Sequence, residues 1–486
     1  MTDRNAARRR PNILLICTDQ QRYSALGAYG NDEIDTPTLD RLAAEGVLFE
    51  NCYVQNPVCG PSRASLMTGR YVQSHGQWAN GVALPEHEQL FSRVLAGAGY
   101  DCGLVGKLHL AACFGGRTEP RHDDGFRVWR WAHDPGHRSP ENQYHRWLQE
   151  EHPDLWRAVN DPNTPTTFAN IETRGHFSRW ISTETIDFLR NGRERARPFF
   201  VVANFFDPHH AFDAPEEYVK RYDPETLSRP VTRAGELAGK PSIFTEASAR
   251  SYAGHERGYV EYSPSELQET KAAYYAMVSL IDDEVGRILD ALEAEGLADD
   301  TLVIFTSDHG EMLGDHQLML KGPMMYEPAV RVPLILRWPG ALPAGHRRAE
   351  FVQWIDLAPT ILEAAGLDPM RRGQGETLLP LARGDHASWT RDWAICEYRD
   401  SGHSYDPPVH TTMLRHDRWK LVVHHGPPST ARDRAGELYD LAADPHELDN
   451  RWDDPAFVQS RIELQELLLD VLVATQDRTQ PREAHW

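Results

Sequence analysis

The sequence lacks any run of the roughly 18 consecutive apolar residues that a membrane span requires, and its longest apolar stretches are strand-sized. A bilayer-spanning segment is therefore not expected. Arg8, Arg9 and Arg10 are followed only by the short apolar run Ile13 to Cys17, too little for the hydrophobic part of an export signal. The expected location is the cytoplasm. Cysteine is scarce, with 6 among 486 residues (Cys17, Cys52, Cys59, Cys102, Cys113 and Cys396) and no Cys-x-x-Cys pair. This argues against a zinc ribbon, a thioredoxin-type redox pair or a disulfide framework. Positive charge is also in deficit: 51 basic against 72 acidic residues give a formal charge of −21. A nonspecific grip on nucleic acid or an anionic membrane is not expected, so any anion site has to be local. Internal repeats and low-complexity tracts are absent as well.

What is present is enough apolar material, 40% of the residues, for two or three cores. Pro11 to Cys17, Pro198 to Phe206, Thr301 to Thr306 and Val332 to Trp338 read as buried strands, and Pro37 to Gly46 as a short helix stopped by glycine. Ser263 to Gly296 is the clearest helix, with Leu267, Tyr274, Met277, Val278, Ile281, Val285 and Ile288 recurring at threes and fours. Strands alternating with helices predict an α/β fold with a large, mostly parallel sheet covered on both faces. Two stretches break the pattern. Residues 113–180, dense in Trp, His, Arg and Pro, read as an insertion with lid or oligomer-contact potential, and Gly235 to Gly258 as an exposed loop. Beyond a joint near Gly373 to Gly384, short strands at Trp393 to Tyr398, Thr411 to Leu414 and Trp419 to His424 precede a helix at Asp454 to Ala474. The expected division is an α/β catalytic domain over 1–375 and a smaller α+β unit over 385–486.

Three of the strands run straight into residues that handle metals or protons. Ile13 to Cys17 leads to Asp19 and Gln20, Phe199 to Asn204 to Asp207, His209 and His210, and Leu302 to Phe305 to Asp308 and His309. Parallel strands share one carboxyl edge, where ligands bind in doubly wound sheets, so the three groups are expected to converge. Singly, each Asp is an ordinary turn or cap residue. Together, Asp19, Gln20, Asp308 and His309 form a mostly oxygen donor set that suits calcium, magnesium or manganese.

The segment Val58-Cys59-Gly60-Pro61-Ser62-Arg63-Ala64-Ser65-Leu66-Met67-Thr68-Gly69-Arg70 places Pro61 at about the first position of a helix and Cys59 at its N-terminus. Free backbone N–H groups there attract anions and lower a thiol's pKa. A Cys-x-Pro-x-basic pattern is expected by chance only roughly 0.04 times in a chain of this composition.

These residues resemble the sulfatase family, in which the cysteine of Cys-x-Pro-Ser-Arg is oxidised after translation to formylglycine, whose hydrated aldehyde is the nucleophile. The resemblance continues through Asp19-Gln20, Ser65 to Arg70, Gly106-Lys107-Leu108-His109, Asp308-His309-Gly310-Glu311, Gly314-Asp315-His316, Lys321, Glu437 to Leu441 and Asp444-Pro445-His446-Glu447. It implies an alkaline-phosphatase-like fold and one divalent ion, calcium foremost with manganese or magnesium as alternatives. Asp19, Gln20, Asp308, His309 and the modified Cys59 would hold that ion. Arg63 would hold the aldehyde hydrate, and Lys107, His109, His209 and Lys321 would surround the ester's anionic oxygens, with Asn80 a further substrate contact. One hydroxyl of the hydrate would attack sulfur. His109 would assist expulsion of sulfate, and His209 or Lys321 would protonate the departing alkoxide. The implied partners are a small-molecule or sugar sulfate ester, a formylglycine-generating enzyme for maturation, and a second copy of the chain as a potential oligomer.

Asp19-Gln20 and Asp308-His309 depart from the two successive aspartates and the Asp-Asn found in many sulfatases, and resemble the branch containing choline sulfatases and phosphonate monoester hydrolases. Lys107 and His109 favour sulfate over phosphonate. Hydrolysis of a phosphonate monoester or phosphodiester at the same site is the alternative, and a metal-binding protein without catalysis a third reading. Tryptophans of the 113–180 stretch, with His403, Tyr405 and His410, are candidates for the pocket rim. His209 is favoured over His210 by its place in the family pattern, although Ala211 stands where that pattern often has proline.

Overall fold

The computed structural model describes residues 10–426 and 436–477; Arg8, Arg9 and the last residues of the 385–486 unit lie outside the described residues. Ten strands precede the C-terminal region: β1 Asn12–Thr18, β2 Val47–Tyr53, β3 Asp101–Gly106, β4 Val128–Trp131, β5 Phe199–Asn204, β6 Glu256–Arg257, β7 Thr301–Ser307, β8 Arg331–Val332, β9 Leu334–Arg337 and β10 His346–Gln353. All but β6 join one sheet in the order β10-β2-β9-β7-β1-β5-β3-β4, with β8 on β2. The pairs from β7 through β1, β5 and β3 to β4 are parallel, as is β2 with β10, whereas β9 runs antiparallel to both β2 and β7.

The alternation of β1 sorts its side chains onto two cores. Ile13, Leu15 and Cys17 join the helix Cys59–Thr68 and the helix Leu357–Ala364 on one face. Leu14 and Ile16 join the long helix Pro264–Ala294, through Val278, Ile281, Val285 and Ile288, on the other. That helix starts where its sequence says it should. Pro264 occupies the first position, the Ser263 hydroxyl accepts from the Glu266 N–H, and the Glu266 carboxylate accepts from the Ser263 N–H. Its buried Asp282 in turn accepts from the N–H groups of Thr38 and Leu39 (2.9 and 2.8 Å), satisfying the start of the helix Pro37–Ala44.

Two expectations change. The 113–180 stretch is no appendage, because β4 within it closes the sheet edge beside β3. Two of its tryptophans are buried in packing: Trp180 lies against Tyr144 and Phe177, and the Trp131 indole donates to Glu119 (3.0 Å). The segment Gly235 to Gly258 contains a helix, Ser242–Ala249, whose Ile243, Phe244 and Ala247 are buried. Three apolar residues on one face outweighed its polar composition.

The C-terminal region is an antiparallel sheet of β11 Trp393–Arg399, β12 His410–His416, β13 Trp419–His425 and β14 Gly436–Asp440, backed by the helix Val458–Ala474 through Leu464, Leu468 and Val471. Lys420 of β13 donates to Glu327 (2.8 Å), in the helix Glu327–Val330 that precedes β8, and to Glu447 (2.6 Å) of the C-terminal region, with no exposure to solvent. Burial pushes the Glu327 carboxyl up, but Lys420, Arg415 and Arg331 outweigh it and hold it well below the ordinary carboxylate range. Its contribution is therefore complete above that range and lost as pH falls through the depressed value. Replacing Lys420 with Met removes the ammonium that two buried carboxylates share and is expected to cost about 3–5 kcal/mol at neutral pH. Thermal unfolding of both proteins across pH checks this, and the gap between them should narrow as the solution is acidified.

Candidate active site

Four neighbouring strands, β7, β1, β5 and β3, end at the same edge and deliver almost every residue singled out from the sequence. Asp308 and His309 follow β7, Asp19 and Gln20 follow β1, His209 and His210 follow β5, and Lys107 and His109 follow β3. The chain leaves β3 through Gly106, whose φ is +99° and on which a Cβ would stand 2.1 Å from the Asn204 carbonyl oxygen. Only glycine fits, and it lets Lys107 and His109 turn across the strand ends. Gln20 and His109 themselves hold positive φ (69° and 65°), a left-handed conformation that costs roughly 1–3 kcal/mol at a non-glycine residue. The fifth contributor is the helix Cys59–Thr68, which begins at Cys59 and so places Pro61 third rather than first. Proline is tolerated there because N–H groups of the first turn have no partner within the helix.

The interior of the site is a lattice of opposite charges. Lys107 Nζ donates to Asp19 Oδ2 (2.7 Å), Arg63 Nε donates to Asp308 Oδ2 (2.7 Å), and Arg63 Nη2 lies 3.5 Å from Asp19 Oδ2. Burial pushes the Asp19 carboxyl up, but Lys107, together with Arg63 and Lys321, outweighs it and holds it well below its usual range. Burial likewise pushes the Cys59 thiol up, yet Lys107, Lys321 and His109 bring it well below the ordinary thiol value. Asn80 Oδ1 accepts from the Gly60 N–H (3.0 Å), while its Nδ2 lies 3.7 Å from Cys59 Sγ. Lys321 Nζ donates to Gln20 Oε1 (2.8 Å), His209 Nε2 (2.9 Å) and His309 Nε2 (3.2 Å). Because His209 Nδ1 meets the His210 carbonyl (2.7 Å), Nδ1 carries the proton and Nε2 the lone pair. Burial, His210 and Lys321 all pull the His209 imidazole well below its usual pKa, which keeps it neutral.

The residues assigned to metal, catalysis and substrate in the sequence reading lie at this edge. Gln20 is engaged through its side chain, accepting from Lys321 and donating to Glu311, and Nε2 lies 3.2 Å from His210 Nδ1. The rings of His209 and His210 stack, 4.0 Å between centroids. Asp207 turns away, accepting from the Ser178 hydroxyl beside His176. A cavity of about 890 Å³ opens beside the cluster, lined in part by Asn80, His109, Tyr252 and His403. His403 thus borders it, whereas His410 lies exposed at the start of β12 and faces a different hollow. The sequence reading missed Tyr252, whose hydroxyl accepts from Asn80 Nδ2 (3.4 Å), and Glu119, whose carboxylate accepts from the His109 N–H (3.0 Å). It also missed His133, 4.6 Å from His109 between ring centroids. None of the three sits in a periodic stretch or a motif, so their only signal is tertiary.

A family model described as Sulfatase matches residues 11–367, and one described as N-sulphoglucosamine sulphohydrolase, C-terminal, matches residues 314–474. The chain belongs to the sulfatase family. It is similar to an arylsulfatase of Clostridium perfringens, 31% identical over 91% of this chain and 90% of the relative. It is also similar to the multifunctional alkaline phosphatase superfamily protein PehA of Trinickia caryophylli, 32% identical over 92% of each. Among solved structures, phosphonate monoester hydrolase of Agrobacterium radiobacter superposes with a TM-score of 0.82 at 30% identity over 97% of each chain. The sulfatase-family enzyme thus has the two-sheet architecture of the alkaline phosphatase superfamily.

The residues at the edge fit a cation. Donor atoms of Asp19, Cys59, Asp308 and His309 all lie within 4.8 Å of one another, and all four residues are buried. Asp19 Oδ1 has no hydrogen-bond partner among the described residues, although it is fully enclosed. His309 Nδ1 meets the Gly310 carbonyl (2.9 Å), so its Nε2 presents a lone pair, 3.6 Å from that oxygen. An orphaned carboxylate oxygen facing an imidazole lone pair is a costly arrangement that a cation relieves. Calcium or manganese is accordingly expected to raise the unfolding free energy by about 2.7 kcal/mol at 100 times the dissociation constant, and the thermal midpoint with it. Asp308→Asn should remove most of that gain in differential scanning fluorimetry, a readout independent of turnover.

Proposed function

We propose that the enzyme hydrolyses sulfate monoesters at Cys59 after its conversion to formylglycine, beside one divalent ion, calcium foremost. The observation that carries this reading is Cys59 itself: a helix-terminal, buried cysteine inside a ring of cations, one helix turn from the arginine that clamps Asp308. Asp19, Asp308 and His309, with Gln20 beside them, would hold the ion, which when bound would polarise the ester and favour ionisation of the attacking hydroxyl. The hydrated aldehyde would supply one hydroxyl for attack on sulfur and a second whose deprotonation releases sulfate.

The remaining steps fall to groups of the chain. Lys107 cancels the Asp19 charge and, with Lys321, offers the positive field that a bound monoanion and the charge developing on its oxygens require. Arg63 fixes Asp308 through Nε, and Asn80 fixes the backbone at Gly60 beside the nucleophile. Glu119 and Gln77 hold the His109 segment at its N–H (3.0 Å) and carbonyl (3.2 Å), keeping the imidazole in place to take the second hydroxyl's proton. Lys321, steered by neutral His209, would give the leaving alkoxide its proton.

Phosphonate monoesters are the second reading, supported by the likeness to the Agrobacterium hydrolase and to PehA. Both ester types carry one negative charge at neutral pH, so the same cations would receive either. The Lys107–His109 pair favours sulfate. Sugar sulfates are the favoured natural class, since N-acetylglucosamine-6-O-sulfatase of Bacteroides thetaiotaomicron is 27% identical over 95% of this chain. The reading expects the Cys59 peptide of enzyme matured with a formylglycine-generating enzyme to carry a carbonyl oxygen in place of the thiol, seen by intact peptide mass. Turnover of matched sulfate and phosphonate esters should fall by at least about 10³-fold in Cys59→Ala. Lys107→Ala is expected to lower kcat by about 10²–10³-fold. Full hydrolysis by Cys59→Ala would refute the mechanism.

A further inference from the structure

A second cluster of donors stands on the wall of the same cavity, outside the Asp19–Asp308 set. Ligand atoms of His109, Cys113 and His133 all lie within 4.8 Å of one another. Cys113 Sγ is 3.1 Å from His133 Nδ1, and the rings of His109 and His133 meet edge to face. His109 is 6% exposed and Cys113 4%, and His109 Nδ1 is enclosed without a hydrogen-bond partner among the described residues. His109 thus carries an enclosed, unpartnered imidazole nitrogen beside a thiol and a second imidazole, a polar group that burial penalises unless something bonds to it.

The surroundings hold this arrangement in place. The Glu119 carboxylate accepts from the N–H groups of both His109 and Leu110, so the segment leading to Cys113 is anchored at its start. His137 Nε2 donates to the Cys113 carbonyl, and the His137 ring packs edge-on against His133 at 5.4 Å. Each ligand therefore has a neighbour that fixes its position, the support a metal site needs.

We propose that His109, Cys113 and His133 form a second metal site, for a borderline-soft divalent cation of the zinc type, on the cavity wall. Two imidazoles and a thiolate select such an ion over calcium or magnesium, which prefer oxygen. Three protein ligands leave a fourth position open, on the side where the cavity lies. As the cation binds, the Cys113 S–H bond is lost, its proton passes to solvent, and the sulfur lone pair forms the new bond. Because His109 is shared, zinc held here removes the base assigned to sulfate release. That inhibitory consequence rests on the function proposed above, whereas the site itself does not.

Cobalt(II) is the probe for the site, read through thiolate-to-cobalt charge-transfer absorption of the full-length chain. The Cys59→Ala background removes the other cavity thiol. That protein should develop the band with one cobalt per chain. The band should vanish in Cys59→Ala/Cys113→Ser, and cobalt affinity should fall at least tenfold in Cys59→Ala/His133→Gln, each checked for an unchanged thermal midpoint. A band that persists without Cys113, or no band in Cys59→Ala, overturns the proposal. In the matured enzyme, zinc is expected to inhibit at a concentration at least tenfold lower than in Cys113→Ser. A cobalt band lost with Cys113 but without this difference upholds the site and overturns the role given to His109.

Discussion

The structure depends on holding two carboxylates, Asp19 and Asp308, beneath solvent at one edge of a sheet. Removing ions from water costs several kcal/mol each even after relaxation. Unit charges 4 Å apart recover about 4 kcal/mol at an effective dielectric near 20. Neither quantity dominates, so the arrangement stands only if every charge has a partner. Arg63 and Lys107 meet that condition for two carboxylate oxygens, with contacts of 2.7 Å to Asp308 Oδ2 and to Asp19 Oδ2, and the Gln20 N–H meets a third, Asp308 Oδ1 (3.1 Å). The oxygen left over, Asp19 Oδ1, is where a divalent ion is called for. The strand order and the glycine at 106 follow from the same requirement, since they put groups from four strands and one helix within reach of a single point.

Much of this was legible in the sequence because the decisive residues follow apolar runs directly. Asp19, Asp308 and His209 lie within a few residues of a strand end, and a parallel sheet brings strand ends together without further information. The long helix was legible for a similar reason: its apolar period spans some eight turns and its start carries both proline and a capping box. Other features were out of reach. Ser242–Ala249 buries only Ile243, Phe244 and Ala247 within a polar stretch, so its helical signal is weak and its burial depends on the far side of the chain. Tyr252, Glu119 and His133 act through contacts whose partners are distant in sequence or lie across irregular loops. The tryptophans of 113–180 looked available for ligand stacking by composition alone, yet Trp131 on the added strand β4 and Trp180 are buried in the core.

The segment after β3 joins two chemical settings. Lys107 turns toward the carboxylates and Leu108 enters the core. His109, in its left-handed conformation, turns toward Cys113 and His133. Oxygen donors dominate on one side of this turn, and nitrogen and sulfur donors on the other. A hard cation and a soft one would therefore sort themselves by ligand chemistry with little competition. The strain at His109 is sustained by Glu119 and Gln77, which grip the backbone on both sides of the imidazole.

That sorting bears on how a single fold serves sulfate and phosphonate esters. Under the proposed function, the charged floor of the cavity would meet a monoanion in both cases, so charge by itself would not choose between them. Discrimination has to come from groups that meet the ester's other substituents and its leaving oxygen, and those lie on the wall. His109, Tyr252 and His403 belong to three separate segments, one following β3, one in the region before the long helix and one from the C-terminal region. Changes in those segments can alter the wall while the floor, fixed by paired buried charges, tolerates little change. Under the proposed function, chemistry is thus tied to the sheet edge, and substrate choice to the segments that border the cavity.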